Sequence, residues 1–266
     1  MKRRIAASLI LGTALTLAAC STPAENDSQA PRPSATATSP VAVEQVSLDV
    51  FAAASLTDVF TQLGSEFEAA HPGVTVTFTF GGSSDLSAQI NELAPADVFA
   101  SANERQMEVA SDHVVGEPQI FTQNMLTIAV GSGNPKHIAS LADLTSKDVV
   151  TVICAEQVPC GSAALKLFEA EGISVTPASE EANVTDVLGK VAAGEADAGL
   201  VYVTDINRAQ GVEGVSIEGA DAAINRYPIA VMDTGDAADA AATFVAFVQS
   251  ARGQELLADA GFLPAS

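Results

Sequence analysis

Hydrophobic and polar residues alternate in two rhythms along most of the chain, which predicts strands followed by helices. Val46, Leu48 and Val50 alternate with polar residues and predict a strand. Apolar residues at helical spacing then run from Leu56 to Phe67 and predict a helix. The same succession predicts further strands over 74–80, 97–101, 125–130, 149–154, 198–203 and 227–231, and further helices over 84–92, 103–110, 162–171, 185–193, 237–250 and 253–260.

Strands that alternate with helices indicate an α/β protein with largely parallel sheets. The runs over 125–130 and 149–154 are apolar throughout, as in strands buried on both faces of a parallel sheet. By periodicity alone, residues 46–266 fit either one doubly wound sheet or two smaller lobes.

The N-terminal residues have the pattern of a bacterial export signal. Lys2, Arg3 and Arg4 precede an apolar run over 5–19, which is shorter than the about 20 residues of a membrane span but typical of a signal peptide. The run ends Leu-Ala-Ala-Cys at Cys20, which is the lipobox pattern of lipoproteins. We predict a lipoprotein signal peptide over 1–19, a lipidated Cys20 and a protein anchored at the extracytoplasmic face of the cell membrane. The alternative is an ordinary signal peptide with an incidental cysteine.

The next segment, residues 20–45, has no hydrophobic periodicity and is predicted to be a disordered tether. Pro, Ala, Ser and Thr make up 16 of the 25 residues from 21 to 45. Such a composition buries too little apolar surface to offset the conformational entropy of folding. The folded part is therefore predicted to span about residues 46–266.

Charge and aromatic content exclude several classes of partner. The chain carries 33 Asp and Glu against 12 Lys and Arg, a formal net charge of -21, whereas binding to nucleic acid or to an anionic membrane surface needs clustered cations. It has no Trp and only two Tyr, too few for base-stacking platforms. We expect no nucleic-acid partner.

Residues for catalysis or metal binding are scarce. A serine hydrolase needs a nucleophile, a base and an orienting group, and the Gly-x-Ser-x-Gly elbow is absent from the sequence. The histidines His71, His113 and His137 are predicted at the surface and, with three cysteines, supply little for a metal centre. Paired tyrosines for ferric iron would have to be Tyr202 and Tyr227. The sequence predicts no enzyme, and a metal-ion-binding lipoprotein is the weaker alternative.

Four predicted strand-to-helix junctions carry small and hydroxyl side chains. They lie at 51–55, 81–84, 158–162 and 183–186. The first-turn N–H groups of a helix have no acceptor within the helix and carry a partial positive charge, so such junctions suit anions. Ser55 is predicted as an N-cap with Asp58 in a capping box, and 183–186 has the same spacing. Ordinary caps are the alternative explanation for each junction.

Three of these junctions belong to a series of motifs that resembles the periplasmic molybdate-binding proteins of ABC transporters. The most specific combination is Phe-Ala-Ala-Ala-Ser-Leu over 51–56 with Phe-Gly-Gly-Ser-Ser-Asp-Leu over 80–86 and Tyr202 at the end of 194–202. Further motifs follow in the family's order over 94–102, 124–128, 157–161, 194–202 and 227–231. The resemblance covers nearly all of residues 46–266 and is a resemblance to type II periplasmic solute-binding proteins.

The resemblance implies a two-lobed α/β fold with mostly parallel sheets, flanking helices and two crossover strands. The first lobe would comprise 46–125 and 229–266, and the second lobe 126–228. Molybdate or tungstate would bind in the cleft between the lobes and pass to an ABC permease. The protein would be a monomer without a cofactor. Another oxyanion such as sulfate is the alternative ligand.

Five oxyanion-binding residues follow from the resemblance, motif by motif. Ser55 and Ser83 would each donate a hydroxyl and a backbone N–H group. Cys160 and Val184 would donate backbone N–H groups, and Tyr202 would donate its phenol. Position 160 is often alanine in the family, but a backbone donor tolerates cysteine. For Tyr202 the alternative is a half-buried strand residue without contact to a ligand.

Cys154 and Cys160 are predicted to form a disulfide. With Cys20 lipidated they are an even pair in an oxidising compartment, and the loop between them is long enough to bring the Cα atoms within the about 4.4–6.8 Å that a disulfide needs. The bridge would order the loop that aims the Cys160 N–H at the anion. Two separate thiols are the alternative, while a zinc site would lack ligands.

Overall fold

A computed structural model describes residues 45–265 of the chain. The predicted signal peptide over 1–19, the lipidation site Cys20 and all but the last residue of the predicted tether lie outside the described residues. Within 45–265, no helix is both long and apolar enough to cross a membrane.

Strands and helices alternate along the described part of the chain. The strands are β1 (Val46–Ala53), β2 (Val74–Gly81), β3 (Val98–Ala100), β4 (Val114–Asn124), β5 (Leu126–Gly131), β6 (Thr151–Cys154), β7 (Ser179–Glu181), β8 (Ala198–Tyr202), β9 (Val212–Val215) and β10 (Asn225–Met232). The helices are α1 (Thr57–Ala70), α2 (Ser83–Asn91), α3 (Glu104–Val109), α4 (Pro159–Glu171), α5 (Val184–Ala192), α6 (Ala238–Gln249) and α7 (Ala251–Asp259). Every predicted helix and strand is present, whereas β4, β7 and β9 were not predicted.

The strands form two five-stranded sheets. The first has the order β2-β1-β3-β10-β4, and the second has the order β7-β6-β8-β5-β9. Helices α1 and α6 contact strands of the first sheet, and α4 and α5 contact strands of the second. The prediction of an α/β fold is confirmed.

The prediction of mostly parallel sheets is confirmed, although both sheets are mixed. In each sheet four strands run in one direction and one strand runs against them. In the first sheet β10 runs antiparallel to its neighbours β3 and β4, and in the second β5 runs antiparallel to β8 and β9. At β5 the chain enters the second sheet from the first, and at β10 it returns to the first sheet. Neither strand follows a helical crossover within its own sheet, which is the connection that makes neighbouring strands parallel. A continuous apolar run reports burial on both faces and not strand direction, so the periodicity of 125–130 left the direction open.

The chain passes between the two sheets at two adjacent places. It leaves the first sheet at the end of β4, continues through Met125 into β5, and returns to the first sheet at the start of β10. Asn124, the last residue of β4, pairs with Asn225, the first residue of β10. The lobe boundary expected at 228 lies within β10, a few residues after that strand begins.

An aromatic cluster fixes α1 against the first sheet. The ring of Phe60 in α1 lies 5.7 Å from that of Phe121 in β4 and 6.2 Å from that of Phe244 in α6. Such ring pairs contribute about 0.5–1.5 kcal/mol each beyond the area that they bury. The cluster thereby holds in place the segment just before α1, which includes Ser55.

Candidate anion-binding site

The starts of four helices meet at one small cavity between the two sheets. The cavity is bordered by residues that immediately precede or begin α1, α2, α4 and α5, together with the end of β8. Its lining residues are Ala53, Ala54, Ser55, Gly81, Gly82, Ser83, Ala102, Val158, Pro159, Cys160, Asn183, Val184 and Tyr202. The structure thus brings all five residues expected at the oxyanion together in one place.

The cavity between the helix starts is small. The space open to the centre of a water molecule is about 10 Å³, close to the volume at which a cavity begins to hold a single water molecule. A larger groove of about 430 Å³ lies elsewhere, at the edge strand β4, and carries the carboxylates Glu104, Glu108 and Glu117. Those negative charges make the larger groove unsuitable for an anion.

Backbone donors reach the cavity from three first helical turns. Ser83 is the first residue of α2, Val184 is the first of α5, and Cys160 is the second of α4. N–H groups at these positions have no acceptor within their own helix, and they lie at the positive end of the helix dipole. The predicted cap of the fourth junction is confirmed, because the Asn183 side chain accepts the Asp186 N–H at 3.0 Å.

Ser55 departs from its predicted role as a helix cap. It lies within a 3₁₀ turn, Ala54–Leu56, that precedes α1, and its side chain caps no N–H group of that helix. Its Oγ is instead 2.9 Å from the Tyr227 Oη in the buried interior. The predicted capping box with Asp58 is therefore wrong, because the 3₁₀ turn moves the start of the helix beyond Ser55.

Two hydroxyl groups at the cavity accept a hydrogen bond from an N–H group of the protein. The Ser83 Oγ accepts the Ala102 N–H at 3.0 Å. The Tyr202 Oη accepts the side-chain amide of Asn225 at 2.8 Å. The Ser83 O–H group can therefore point at a solute. The Tyr202 hydroxyl also contacts the Tyr227 hydroxyl, which competes with a solute for the phenol proton.

The phenol of Tyr202 at the cavity and that of Tyr227 behind it are both neutral. Burial raises the pKa of Tyr202 well above its ordinary value, and burial likewise raises the pKa of Tyr227. Neither hydroxyl ionises near neutral pH, so neither places a negative charge beside an anion.

No lysine or arginine lines the cavity, but Arg208 lies just behind it. Its guanidinium donates to the Ala54 carbonyl at 2.9 Å and to the buried carboxylate of Asp205 at 3.0 Å. A second carboxylate, that of Asp58, lies 3.5 Å from the Arg208 Nε. Burial raises the pKa of Asp205 to about 6, against the opposing effect of Arg208. The positive charge of Arg208 is thus matched locally, and the residues that line the cavity remain uncharged.

Two glycines allow the close backbone approach that encloses the cavity. A Cβ atom at Gly82 would lie 2.2 Å from the Ala182 carbonyl oxygen, which precedes α5. A Cβ atom at Gly161 would lie 2.0 Å from the Ala155 carbonyl oxygen. Both contacts are to backbone that cannot turn aside. A side chain at Gly82 would push the starts of α2 and α5 apart, and one at Gly161 would push the start of α4 away from the end of β6.

The structure contains the predicted disulfide. The Sγ atoms of Cys154 and Cys160 are 2.02 Å apart, and their Cα atoms are 5.7 Å apart. Cys154 ends β6 and Cys160 lies in the first turn of α4. The bridge therefore ties a helix start that borders the cavity to a strand of the second sheet.

The three histidines lie away from the cavity. His71 stacks on Phe67, the His113 Nδ1 is 2.9 Å from an Asp233 carboxylate oxygen, and His137 is exposed. Among residues 45–265, no cluster of three or more His, Cys, Asp or Glu is placed to hold a metal ion.

Sequence reasoning missed two residues that support the site from behind. Tyr227 begins the motif over 227–231, but its contact with Ser55 depends on the packing of segments that are distant in sequence. No local sequence pattern marks Asn225. It reaches the site only because the chain returns from the second sheet to the first at the start of β10.

Two α/β halves, joined at two crossing points and with helix starts that meet at a small cavity between them, define the class of two-lobed solute-binding proteins. The chain belongs to the family of bacterial extracellular solute-binding proteins, whose model matches residues 48–263. It is a solute-binding protein and not an enzyme.

Relatives within this family are similar over most of the chain. The molybdate-binding protein ModA of Mycobacterium tuberculosis is 46% identical over 219 residues, which cover 81% of this chain and 84% of that protein. The ModA protein of Escherichia coli is 30% identical over 70% of this chain and 77% of that protein.

Solved structures share the fold. The periplasmic molybdate-binding protein of Azotobacter vinelandii matches with a TM-score of 0.70 and 19% identity, over 81% of this chain and 98% of that chain. The sulfate-binding protein SubI of M. tuberculosis matches with a TM-score of 0.72 and 19% identity, over 84% of this chain and 88% of that chain. At such identities the likeness is one of fold alone.

Removing a hydroxyl donor is expected to weaken oxyanion binding. Ser83→Ala and Ser55→Ala should each cost on the order of 1–3 kcal/mol of binding free energy, because each leaves an oxyanion oxygen without its partner. Titration calorimetry with molybdate measures the loss. Ser65→Ala, which makes the same change on the exposed face of α1, and His137→Ala should bind like the unaltered protein. A histidine variant that abolished binding would favour a metal site instead.

The disulfide is expected to stabilise the binding loop. In protein prepared from residue 21 onward under oxidising conditions, denaturation without reductant should expose no free thiol. Replacing both cysteines by serine should cost roughly 2 kcal/mol of folding stability, the order expected for so short a closed loop. It should also weaken molybdate binding several-fold, because the Cys160 N–H must then be ordered on binding. Unchanged affinity would mean that the bridge acts on stability alone.

Proposed function

We propose that this protein binds molybdate in the cleft between its two sheets and delivers it to an ABC permease. The observation that carries the proposal is the convergence of uncharged donors from four helix starts on one small cavity. Ser55, Ser83 and Tyr202 contribute hydroxyl groups, while Cys160 and Val184 contribute backbone N–H groups. The family, and relatives named as molybdate-binding proteins at up to 46% identity, support the same ligand.

The donor set suits an oxyanion that carries no proton. Such a dianion accepts hydrogen bonds at every oxygen and donates none. Hydrogen bonds to a charged group contribute about 1.5–3 kcal/mol each. Seven donor groups, two each from Ser55 and Ser83 and one each from Cys160, Val184 and Tyr202, would therefore contribute about 10–21 kcal/mol. That supports submicromolar binding when the association cost lies in the lower part of its range of about 4–15 kcal/mol.

Phosphate is disfavoured by the same arrangement. Near neutral pH it carries at least one proton, which needs an acceptor in the site. The Ser83 Oγ and the Tyr202 Oη already accept hydrogen bonds from Ala102 and Asn225. A phosphate hydroxyl would therefore be buried beside donors, at the cost of an unmade hydrogen bond.

Sulfate is the second candidate ligand, since it is also a tetrahedral dianion and a sulfate-binding protein shares the fold. The sequence similarity to molybdate-binding proteins favours molybdate, which is larger than sulfate. Tungstate has the charge and shape of molybdate, and we propose that it binds as well. A metal cation is disfavoured because the lining residues offer donors rather than carboxylate or imidazole ligands.

The family and the N-terminal sequence together support an extracytoplasmic protein that is anchored to the cell membrane. The signal peptide over 1–19, the lipobox ending at Cys20 and the tether would hold a monomeric binding domain at the outer face of the cell membrane. The lobes would be 46–125 with 229–266, and 126–228. They would hinge near 125 and 228, where the two crossing segments lie side by side.

Molybdate and tungstate should bind with one ion per chain, and sulfate and phosphate much more weakly. Titration calorimetry of protein prepared from residue 21 onward measures the stoichiometry and the four affinities under one condition. Absence of heat with both molybdate and tungstate, or equal affinity for sulfate, would contradict the proposed ligand.

A further inference from the structure

Asn225 occupies the point where the chain returns from the second sheet to the first. It is the first residue of β10 and pairs with Asn124 at the end of β4. Only 6% of its surface is exposed. A polar amide so deeply buried needs partners, since an unmade hydrogen bond in the interior costs free energy.

The side-chain amide nitrogen of Asn225 meets acceptors from both halves of the molecule. It lies 2.8 Å from the Tyr202 Oη, 2.9 Å from the Ala102 carbonyl oxygen and, more weakly, 3.3 Å from the Pro159 carbonyl oxygen. Ala102 follows β3 of the first sheet, whereas Tyr202 ends β8 of the second and Pro159 begins α4.

Each of these three acceptors belongs to a residue on the wall of the cavity. Ala102 also donates its N–H to the Ser83 Oγ, and Pro159 directly precedes Cys160. One buried amide therefore contacts the supports of three proposed oxyanion donors.

The direction of the hydrogen bond between Asn225 and Tyr202 decides whether the phenol O–H group can donate to a ligand. An amide N–H is a donor only, so the Tyr202 oxygen must be the acceptor in this contact. The phenol proton is then left to donate, either to a solute in the cavity or to the neighbouring Tyr227 hydroxyl, which Tyr202 also contacts. An acceptor at the same place would take that proton and turn the donor away from the ligand.

We propose that Asn225 is a positioning residue for oxyanion binding, which directs the Tyr202 O–H group at the ligand and holds the start of α4 against the first half of the molecule. This inference rests on the proposed function. Asn225 itself does not line the cavity, so it acts through Tyr202 and Pro159.

Two substitutions test the role. Asn225→Ala removes the donor and should weaken molybdate binding about tenfold, the effect of roughly one hydrogen bond to a charged ligand. Asn225→Asp keeps the size of the side chain but replaces the amide nitrogen by a carboxylate oxygen. That oxygen should accept the phenol proton of Tyr202 and add a negative charge near the ligand. It should weaken binding at pH 7–8 by more than Asn225→Ala does. Thermal unfolding shows whether both variants remain folded.

Gln106→Ala is the matched control for a lost amide link between the two halves. The Gln106 side-chain nitrogen donates to the Gln157 carbonyl at 2.7 Å across the cleft, and Gln106 does not line the cavity. This variant should bind molybdate within about threefold of the unaltered protein. A loss as large as that of Asn225→Ala would mean that any link across the cleft matters equally, and would overturn a specific role for Asn225.

A double-mutant cycle separates positioning from general loss of structure. If Asn225 acts through the phenol, Asn225→Ala should weaken binding clearly less in a Tyr202→Phe background than in the unaltered protein. Fully additive losses would overturn the inference, and so would molybdate binding by Asn225→Asp at the unaltered affinity. If the unaltered protein binds neither molybdate nor tungstate, the proposed function itself fails. If it binds and only the Asn225 results disagree, this inference alone fails.

Discussion

The proposed site depends on neutral dipoles that would replace the water shell of a dianion. The chain carries a formal net charge of -21, yet repulsion from surface carboxylates is screened over a Debye length of about 8 Å at physiological ionic strength. Hydrogen bonds from first-turn N–H groups and buried hydroxyls act at contact, where water is excluded and each is strong. Short-range donors therefore outweigh the long-range charge, and no cation is needed in the cavity wall.

Several local features follow from the need to bring four helix starts together. Gly82 and Gly161 admit backbone contacts that any side chain would block, and the Cys154–Cys160 bridge ties the start of α4 to β6. Asn225 orients a hydroxyl donor from behind. Arg208 donates from the second half of the molecule to the Ala54 carbonyl of the first, and its charge is balanced by Asp205. Each feature positions a donor without adding net charge at the ligand.

Local sequence predicted most of the fold, because hydrophobic periodicity reports directly which face of an element is buried. It also indicated the helix starts at the site, since Ser83 and Asn183 lie at junctions with small neighbours. It did not predict the polar, half-exposed β4, nor the opposite direction of β5 and β10, because burial says nothing about direction. Ser55 was wrongly predicted as a cap, since its partner Tyr227 is 172 residues away in sequence. Asn225 was missed for the same reason.

Anomalous diffraction at the molybdenum absorption edge, from crystals grown with molybdate, locates the metal atom directly. We expect one strong peak per chain, in the cavity bordered by Ser55, Ser83, Cys160, Val184 and Tyr202, with oxygen density within hydrogen-bond distance of their donor groups. A peak confined to another groove or to the surface, or no ordered peak at saturating molybdate, would contradict a molybdate site built from these helix starts.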